Sequence, residues 1–177
     1  MPELPEVETI KTQLTDLIVG KKVLAVETDT PKMVQPSLET VRKAIVGAKI
    51  TKIERRAKLI LFYFNNGNIL IGHLKLTGRF LVRKNADPED DWQRITVSLA
   101  DGLELRFADL RKFGWLKLMT DESELKEILG EFGPEATEIN LKEFEKILAG
   151  SRRPVKVVLM DQAKISGIGN IYAADAL

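Results

Sequence analysis

The 177 residues contain no cysteine, and histidine occurs once, as His73. The first absence excludes disulfides and any cysteine zinc site within this chain. The second leaves a histidine metal centre or a Ser-His-Asp triad short of parts. No apolar run is long enough to span a bilayer, and no basic-then-apolar leader of secretory type is read, so a cytosolic protein is expected. A large net charge is also missing, since the total is +1 at pH 7. Residues 120–146, however, hold nine acidic groups against three lysines, net −6, which leaves +7 on the rest. The charge is segregated, and the whole-chain value understates the basic part.

The length suffices for a real core, as one domain or one domain and part of another. Val7, Ile10, Leu14, Leu17 and Ile18 make one apolar helical stripe, which Gly20 is placed to end. Lys22–Thr28 alternates as a strand, and Ser37 is placed to cap a short helix through Val46 with Leu38, Val41, Ala44 and Ile45 inward. Strands are expected at Ile50–Arg55, Leu59–Phe64, Asn68–Leu74, Arg79–Val82, Ile95–Leu99, Leu103–Phe107 and Trp115–Met119. Asn66-Gly67 and Asp101-Gly102 are hairpin signals between neighbours in that series, and the polar stretch Lys84–Asp91 reads as a mobile loop. After Thr120 the pattern turns helical. Asp121-x-x-Glu124 and Asn140-x-x-Glu143 spell capping boxes, Pro154 is placed to open a helix Val155–Gln162, and Ser166–Asn170 is a turn into another helix that runs to the chain end. Gly133-Pro134 is the candidate domain boundary, and the order is that of an α+β protein.

Most of the chemistry is concentrated in the first nine residues. Removal of Met1 exposes Pro2 as a secondary α-amine, with an ordinary pKa near ~8 against ~10.4 for a lysine. Such an amine attacks an aldehyde-like carbon to give a cationic iminium, an electron sink for elimination. Glu3 lies beside it for proton transfer, while Pro5 can start a helix with Glu6 and Glu8 at its positive end. Taken singly, Pro2 reads as a helix lead-in.

The whole string Pro2-Glu3-Leu4-Pro5-Glu6-Val7-Glu8-Thr9 resembles the N-terminus of formamidopyrimidine-DNA glycosylases and the related endonuclease VIII enzymes. The resemblance extends along essentially all 177 residues. It implies an N-terminal β-sandwich flanked by helices over residues 1–133. The start of a helix–two-turns–helix DNA-binding domain then follows over 134–177. Relatives continue with more helices and usually a four-cysteine zinc finger, so the chain reads as shortened at its C-terminus and no metal is expected within it.

The implied activity is base-excision repair: a glycosylase and abasic-site lyase for oxidised purines, with Pro2 as nucleophile, Glu3 as acid, Glu6 shaping the carboxylate network and Lys58 assisting elimination. Lys58 belongs to Arg55-Arg56-Ala57-Lys58, which alone reads as a solvated charge run. His73-Leu74-Lys75-Leu76-Thr77-Gly78 resembles a family segment in which His73 contacts phosphate. Leu76 there replaces the methionine that usually fills the hole left by the extruded base. In Asp109-Leu110-Arg111-Lys112-Phe113-Gly114, the resemblance makes Arg111 the donor to the orphaned base and Phe113 a wedge between base pairs. Without it, Phe113 is a core aromatic and Arg111 the ion-pair partner of Asp109. Arg152, Lys156 and Asn170 match second-domain DNA contacts, with Gly169-Asn170 heading a helix that can hold a phosphate. Asp175 stands where relatives more often have Glu. The expected partner is damaged double-stranded DNA, met by a monomer in the bacterial cytosol. Two rivals are an endonuclease VIII-like enzyme for oxidised pyrimidines and a non-catalytic DNA-binding remnant.

Overall fold

The computed structural model describes residues 2–119 and 121–177. The chain opens with helix α1 (Leu4–Ile18), which has Pro5 in its first turn and buries Val7, Leu14 and Ile18. Gly20, at φ +88°, turns the chain after it, a conformation that glycine adopts without steric cost. Leu17 departs from the expected stripe and is 50% exposed, because the buried arc is narrower than the apolar one.

Strands β1 (Val23–Thr28) and β2 (Val34–Gln35) precede α2 (Leu38–Ile45), whose first turn is capped by the Ser37 hydroxyl accepting from Thr40 N–H at 3.1 Å. Seven further strands follow: β3 (Ile50–Arg56), β4 (Leu59–Phe64), β5 (Ile69–His73), β6 (Arg79–Lys84), β7 (Gln93–Leu99), β8 (Leu103–Ala108) and β9 (Trp115–Met119). They form two sheets, β1-β7-β8-β6 and β2-β9-β5-β4-β3, and the expected β-sandwich is borne out. Its main core takes Val26, Ile95, Val97, Leu105 and Phe107 from one sheet and Ile53, Ile60, Phe62, Leu70 and Leu118 from the other. Each such side chain, fully buried, contributes about 1.5–3 kcal/mol.

Strand β4 reads Leu-Ile-Leu-Phe-Tyr-Phe without alternation because both of its faces are covered. Ile60, Phe62 and Phe64 face the sandwich interior, whereas Leu59 and Leu61 join Ile69, Ile71 and Met119 under helix α3 (Glu122–Gly130) through its Leu125. Gly72 on β5 is required by packing, since a Cβ there would lie 2.8 Å from the Phe80 ring. Both hairpin signals hold. Gly67 has φ +85°, and Asp101 and Gly102 have φ +64° and +71°, the paired positive values that a two-residue hairpin turn demands.

Three expectations need correction. A bulge between Val23 and Ala25 breaks the β1 alternation, so Val23 and Val26 are both buried. The polar stretch Lys84–Asp91 is tied down. Arg106, 2% exposed, donates to the carbonyls of Asp87 and Pro88 at 3.0 and 2.6 Å and to Asp90 Oδ2 at 3.1 Å. Finally, the helix opened by Pro154 is α5 (Val155–Leu159), shorter than expected, after α4 (Leu141–Ala149). Gln162 turns back instead, its amide donating to the Ile168 carbonyl at 2.8 Å and its oxygen accepting Gly167 N–H at 3.0 Å. Helix α6 (Asn170–Asp175) closes the series, and a third cluster of Leu159, Ile165 and Ala173 packs with Phe144 and Ile147 of α4.

Candidate active site

The turn between α5 and α6 is where the two ends of the chain meet. Leu4 N–H donates to the Gly167 carbonyl at 3.1 Å, which sets the start of α1 against this turn. Glu3 is fully buried, and its carboxylate accepts N–H groups from Gly169 at 2.5 Å, Ile171 at 2.8 Å and Tyr172 at 3.4 Å. The sequence expectation was that these amides would hold a phosphate; in the structure they hold Glu3. The Asn170 side chain is exposed. Two glycines make this approach possible. A Cβ on Gly169 would meet the Glu3 carboxyl, and one on Gly167, at φ +100°, would meet the Leu4 side chain at 2.5 Å.

Glu6 reaches back to Glu3 N–H at 2.9 Å and accepts the Tyr172 hydroxyl at 2.7 Å. Burial pushes the Glu6 carboxyl up, but the Tyr172 and backbone donors outweigh it and hold it below the ordinary value. The bond to Glu6 in turn raises Tyr172. Lys58 converges on the same turn, donating to the Ile168 carbonyl at 2.8 Å. Burial lowers its amine pKa, with the Glu3 charge opposing. Pro2, Glu3, Glu6 and Lys58 are thus brought together, three of them by direct bonds to residues 168–172.

Arg55 and Arg56 are not a solvated run. Arg55 bonds Glu8 and Glu135 at 2.7 and 2.6 Å, and Arg56 bonds Glu135 at 2.6 Å and the Gly133 carbonyl at 2.7 Å. Glu135, 7% exposed, also accepts Ala57 N–H at 2.7 Å, where φ is +54° immediately before Lys58. Sequence reading counted Glu135 only as one of the nine acids of 120–146. Its partners lie about eighty residues away, so local pattern carried no sign of them.

His73, on β5 beside Trp115 with ring centroids 5.6 Å apart, accepts Lys75 N–H on Nδ1 at 3.0 Å. Burial lowers its pKa to about 4, helped by the charges of Lys75 and Lys58. The ring is therefore neutral at pH 7 with Nε2 carrying the proton, able to donate to an anionic oxygen. Beyond it, Pro2 and Leu76 share an open cavity of about 310 Å³ with Thr77, Gly78, Arg79, Trp92 and Leu110. Trp92 and Leu110, 46% and 52% exposed, are rim residues that sequence reading missed. A bulky residue at positive φ, here Trp92 at +58°, is the kind of strain that collects at functional sites.

Phe113 is 52% exposed, not a core aromatic, and the Arg111 guanidinium lies 4.7 Å from its ring centroid. Asp109 does not pair with that guanidinium; it accepts the Arg111 backbone N–H at 3.1 Å. Arg152 and Lys156 lie around the start of α5, in none of the bonds that build this centre. Among the described residues, no three His, Asp or Glu side chains form a metal-binding group.

Fold and site together define a class of protein: a β-sandwich whose N-terminal Pro-Glu pair is clasped by the turn of a helical second part. The formamidopyrimidine-DNA glycosylase N-terminal domain model matches residues 1–116, and the formamidopyrimidine-DNA glycosylase H2TH domain model matches residues 131–177. The chain belongs to the formamidopyrimidine-DNA glycosylase family. It is 41% identical over 181 residues to the formamidopyrimidine-DNA glycosylase of Moorella thermoacetica and 37% identical over 180 to that of Streptococcus pneumoniae. All of this chain is matched, and it spans about 66% and 65% of those relatives' lengths. Among solved structures it resembles a Lactococcus lactis Fpg complexed with abasic-site DNA, at TM-score 0.89 and 33% identity over 97% of this chain and 64% of the other. A complex of the same species' protein with FAPY-dG DNA matches at TM-score 0.88 and 34% identity, over 96% and 65%.

Proposed function

We propose that this chain carries the catalytic centre of a DNA glycosylase and abasic-site lyase that removes oxidised purines, formamidopyrimidine and 8-oxoguanine, from double-stranded DNA. The observation that carries the reading is the convergence of Glu3 and Lys58 on residues 168–172, beside Pro2. A damaged nucleotide must leave the stack to be reached. Pro2, with Met1 removed, attacks the sugar C1′ as the C1′–N bond breaks, and the base departs with the amine's proton. Glu3, protonated from solvent, delivers its proton to the ring oxygen as the C1′–O4′ bond opens and the Pro2 iminium forms. The Pro2 iminium then draws electrons from C2′ as the flanking phosphates leave by β- and δ-elimination. Lys58, its amine desolvated, stabilises charge on the departing phosphate.

His73 and Asn170 contact backbone phosphates in this reading, with Arg152 and Lys156 extending the track. Leu76, Arg111 and Phe113 occupy the stack that the nucleotide vacates. Residues 1–133 form the catalytic domain and 134–177 the DNA-binding part, and the chain acts as a monomer in the bacterial cytosol. None of the proposed steps draws on a metal, and without cysteine these residues hold no ligand set for a cysteine zinc finger.

The test is borohydride trapping on DNA with an abasic site. The Met-trimmed protein is expected to form a covalent adduct, and Pro2→Gly to trap poorly. Efficient trapping by Pro2→Gly, or by protein retaining Met1, would count decisively against the assignment. A second reading, oxidised pyrimidines, is favoured by the likeness to a Lactococcus lactis Fpg bound to oxidised-pyrimidine DNA, at TM-score 0.90 and 35% identity. Parallel excision assays on 8-oxoguanine and thymine glycol duplexes separate the two.

A further inference from the structure

Asp109 is 1% exposed, yet its carboxylate joins two separate loops. Oδ1 accepts the Thr77 hydroxyl, in the turn that carries Leu76, and Arg111 N–H at 3.1 Å. Oδ2 accepts Phe113 N–H at 2.9 Å and Gly114 N–H at 2.8 Å. The Thr77 oxygen also receives Arg111 N–H at 3.2 Å. Lys112, at φ +56°, reverses the chain so that Phe113 and Gly114 both return to one oxygen. Gly114 is required there, because a Cβ would run into the buried Phe107 ring and crowd the His73 carbonyl at 3.1 Å. On the other loop, Gly78 N–H closes the turn on the Leu74 carbonyl at 3.0 Å. Asp109 N–H is fixed on the Trp92 carbonyl at 2.9 Å, so a third segment of the cavity rim hangs on the same residue.

We propose that Asp109, through Thr77, is a positioning residue that locks the loop bearing Arg111 and Phe113 to the turn bearing Leu76, so that the three side chains enter DNA as one preformed unit. The inference rests on the reading of those three as DNA-inserting residues. Its physical basis is preorganisation: a side chain already held where it must bind loses less freedom on binding than one on a free loop. The Asp109 carboxyl fits this role. Burial would raise its pKa, but the Thr77 hydroxyl and the Gly114, Arg111 and Phe113 N–H groups outweigh burial and hold it below the ordinary value.

The discriminating variant is Thr77→Val, which removes the hydroxyl with little change of shape, with Thr77→Ser as the conservative rescue and Asp109→Asn as a second disruption. The first measurement is amide hydrogen exchange in the free protein, with no DNA present. Exchange at Arg111, Phe113 and Gly114 is expected to quicken about tenfold in Thr77→Val and to return in Thr77→Ser; unchanged rates overturn the lock whatever the enzyme does. The second is binding to a duplex with a tetrahydrofuran abasic analogue opposite 2-aminopurine, against an undamaged duplex. Thr77→Val is expected to lose roughly tenfold of the preference for the damaged duplex and most of the 2-aminopurine fluorescence rise. Its affinity for undamaged DNA and its salt dependence should stay at wild-type values, since phosphate contacts are untouched. Retention of the wild-type preference by both Thr77→Val and Asp109→Asn overturns the proposal. If wild type itself shows no preference and no fluorescence rise, the insertion reading fails, and the exchange data still show whether the two loops are locked.

Discussion

At the scale of single residues, the centre depends on atoms that are missing as much as on those present. Gly169 lets the α6 backbone close on Glu3, so Gly169→Ala must displace the carboxylate. Misplacement of a reacting group by about 1 Å costs on the order of a hundredfold in rate. Borohydride trapping by Gly169→Ala is therefore expected to fall by about that factor. Gly130→Ala, at the end of α3 with nothing within 4 Å of a Cβ, is expected to trap normally and gain up to about 1 kcal/mol. His73 gives a second residue-scale outcome. Its pKa falls from 6.5 to about 4, so below 6.5 the unfolded chain takes up a proton that the folded one refuses. The stability His73 contributes is present above pH 6.5 and is lost as pH falls towards 4. Urea titrations should show His73→Gln losing less stability than wild type between pH 7 and 4, by up to about 3 kcal/mol. The motif resemblance singles out Pro2, Glu3, Lys58 and His73 from sequence alone. It could not show what holds Glu3, because the partners are backbone amides, which carry no residue identity.

At the scale of elements, legibility followed whether the signal lay within the segment itself or in partners elsewhere in the chain. Strands β7 and β8 and the hairpin turns announce themselves through alternation and turn residues, and helix α2 through its Ser37 cap. Strand β2 has two residues, too few to show any period, and α5 stops early because Gln162 finds better partners in the following turn. The Lys84–Asp91 stretch shows the same limit. It looks solvated because its anchor, Arg106, sits on β8 some twenty residues away and inside an otherwise ordinary strand. The arginine is buried among Glu104, Asp90 and two loop carbonyls, so removing it strands the Glu104 carboxylate and leaves Asp90 with Arg83 alone. Loss of one partner from a buried ion pair costs about 3–5 kcal/mol. Arg106→Met is expected to lower the urea unfolding free energy by that order. Limited proteolysis should then cut first within residues 84–91. Intact protection of that stretch in the variant would show that other contacts hold it.

At the scale of the whole molecule, the centre is assembled from both parts of the chain and neither holds it alone. Glu3 and Leu4 bond to residues 167–172, Lys58 to Ile168, and Arg56 to Glu135, Ser166 and the Gly133 carbonyl. In the proposed reading the 177-residue polypeptide contains the machinery for iminium chemistry, while spanning about 65% of its relatives' lengths. Its proposed cationic phosphate contacts, Lys58, Arg152 and Lys156, are few, since His73 is neutral at pH 7 and Asn170 carries no charge. Each phosphate neutralised adds about 0.9 to the slope of log affinity against log salt. The polypeptide is thus expected to bind duplex DNA weakly, with a slope of only about 3. Base excision needs a flipped nucleotide held against restacking, a task that consumes binding energy. Cleavage at a pre-formed abasic site needs no base recognition, only access of the sugar to Pro2, Glu3 and Lys58. The expected outcome is strand cleavage at abasic sites with little excision of 8-oxoguanine, measured on the same polypeptide under single-turnover conditions. Excision as fast as abasic-site cleavage would mean that these 177 residues hold the lesion unaided, and a steep salt slope would point to phosphate contacts beyond those named.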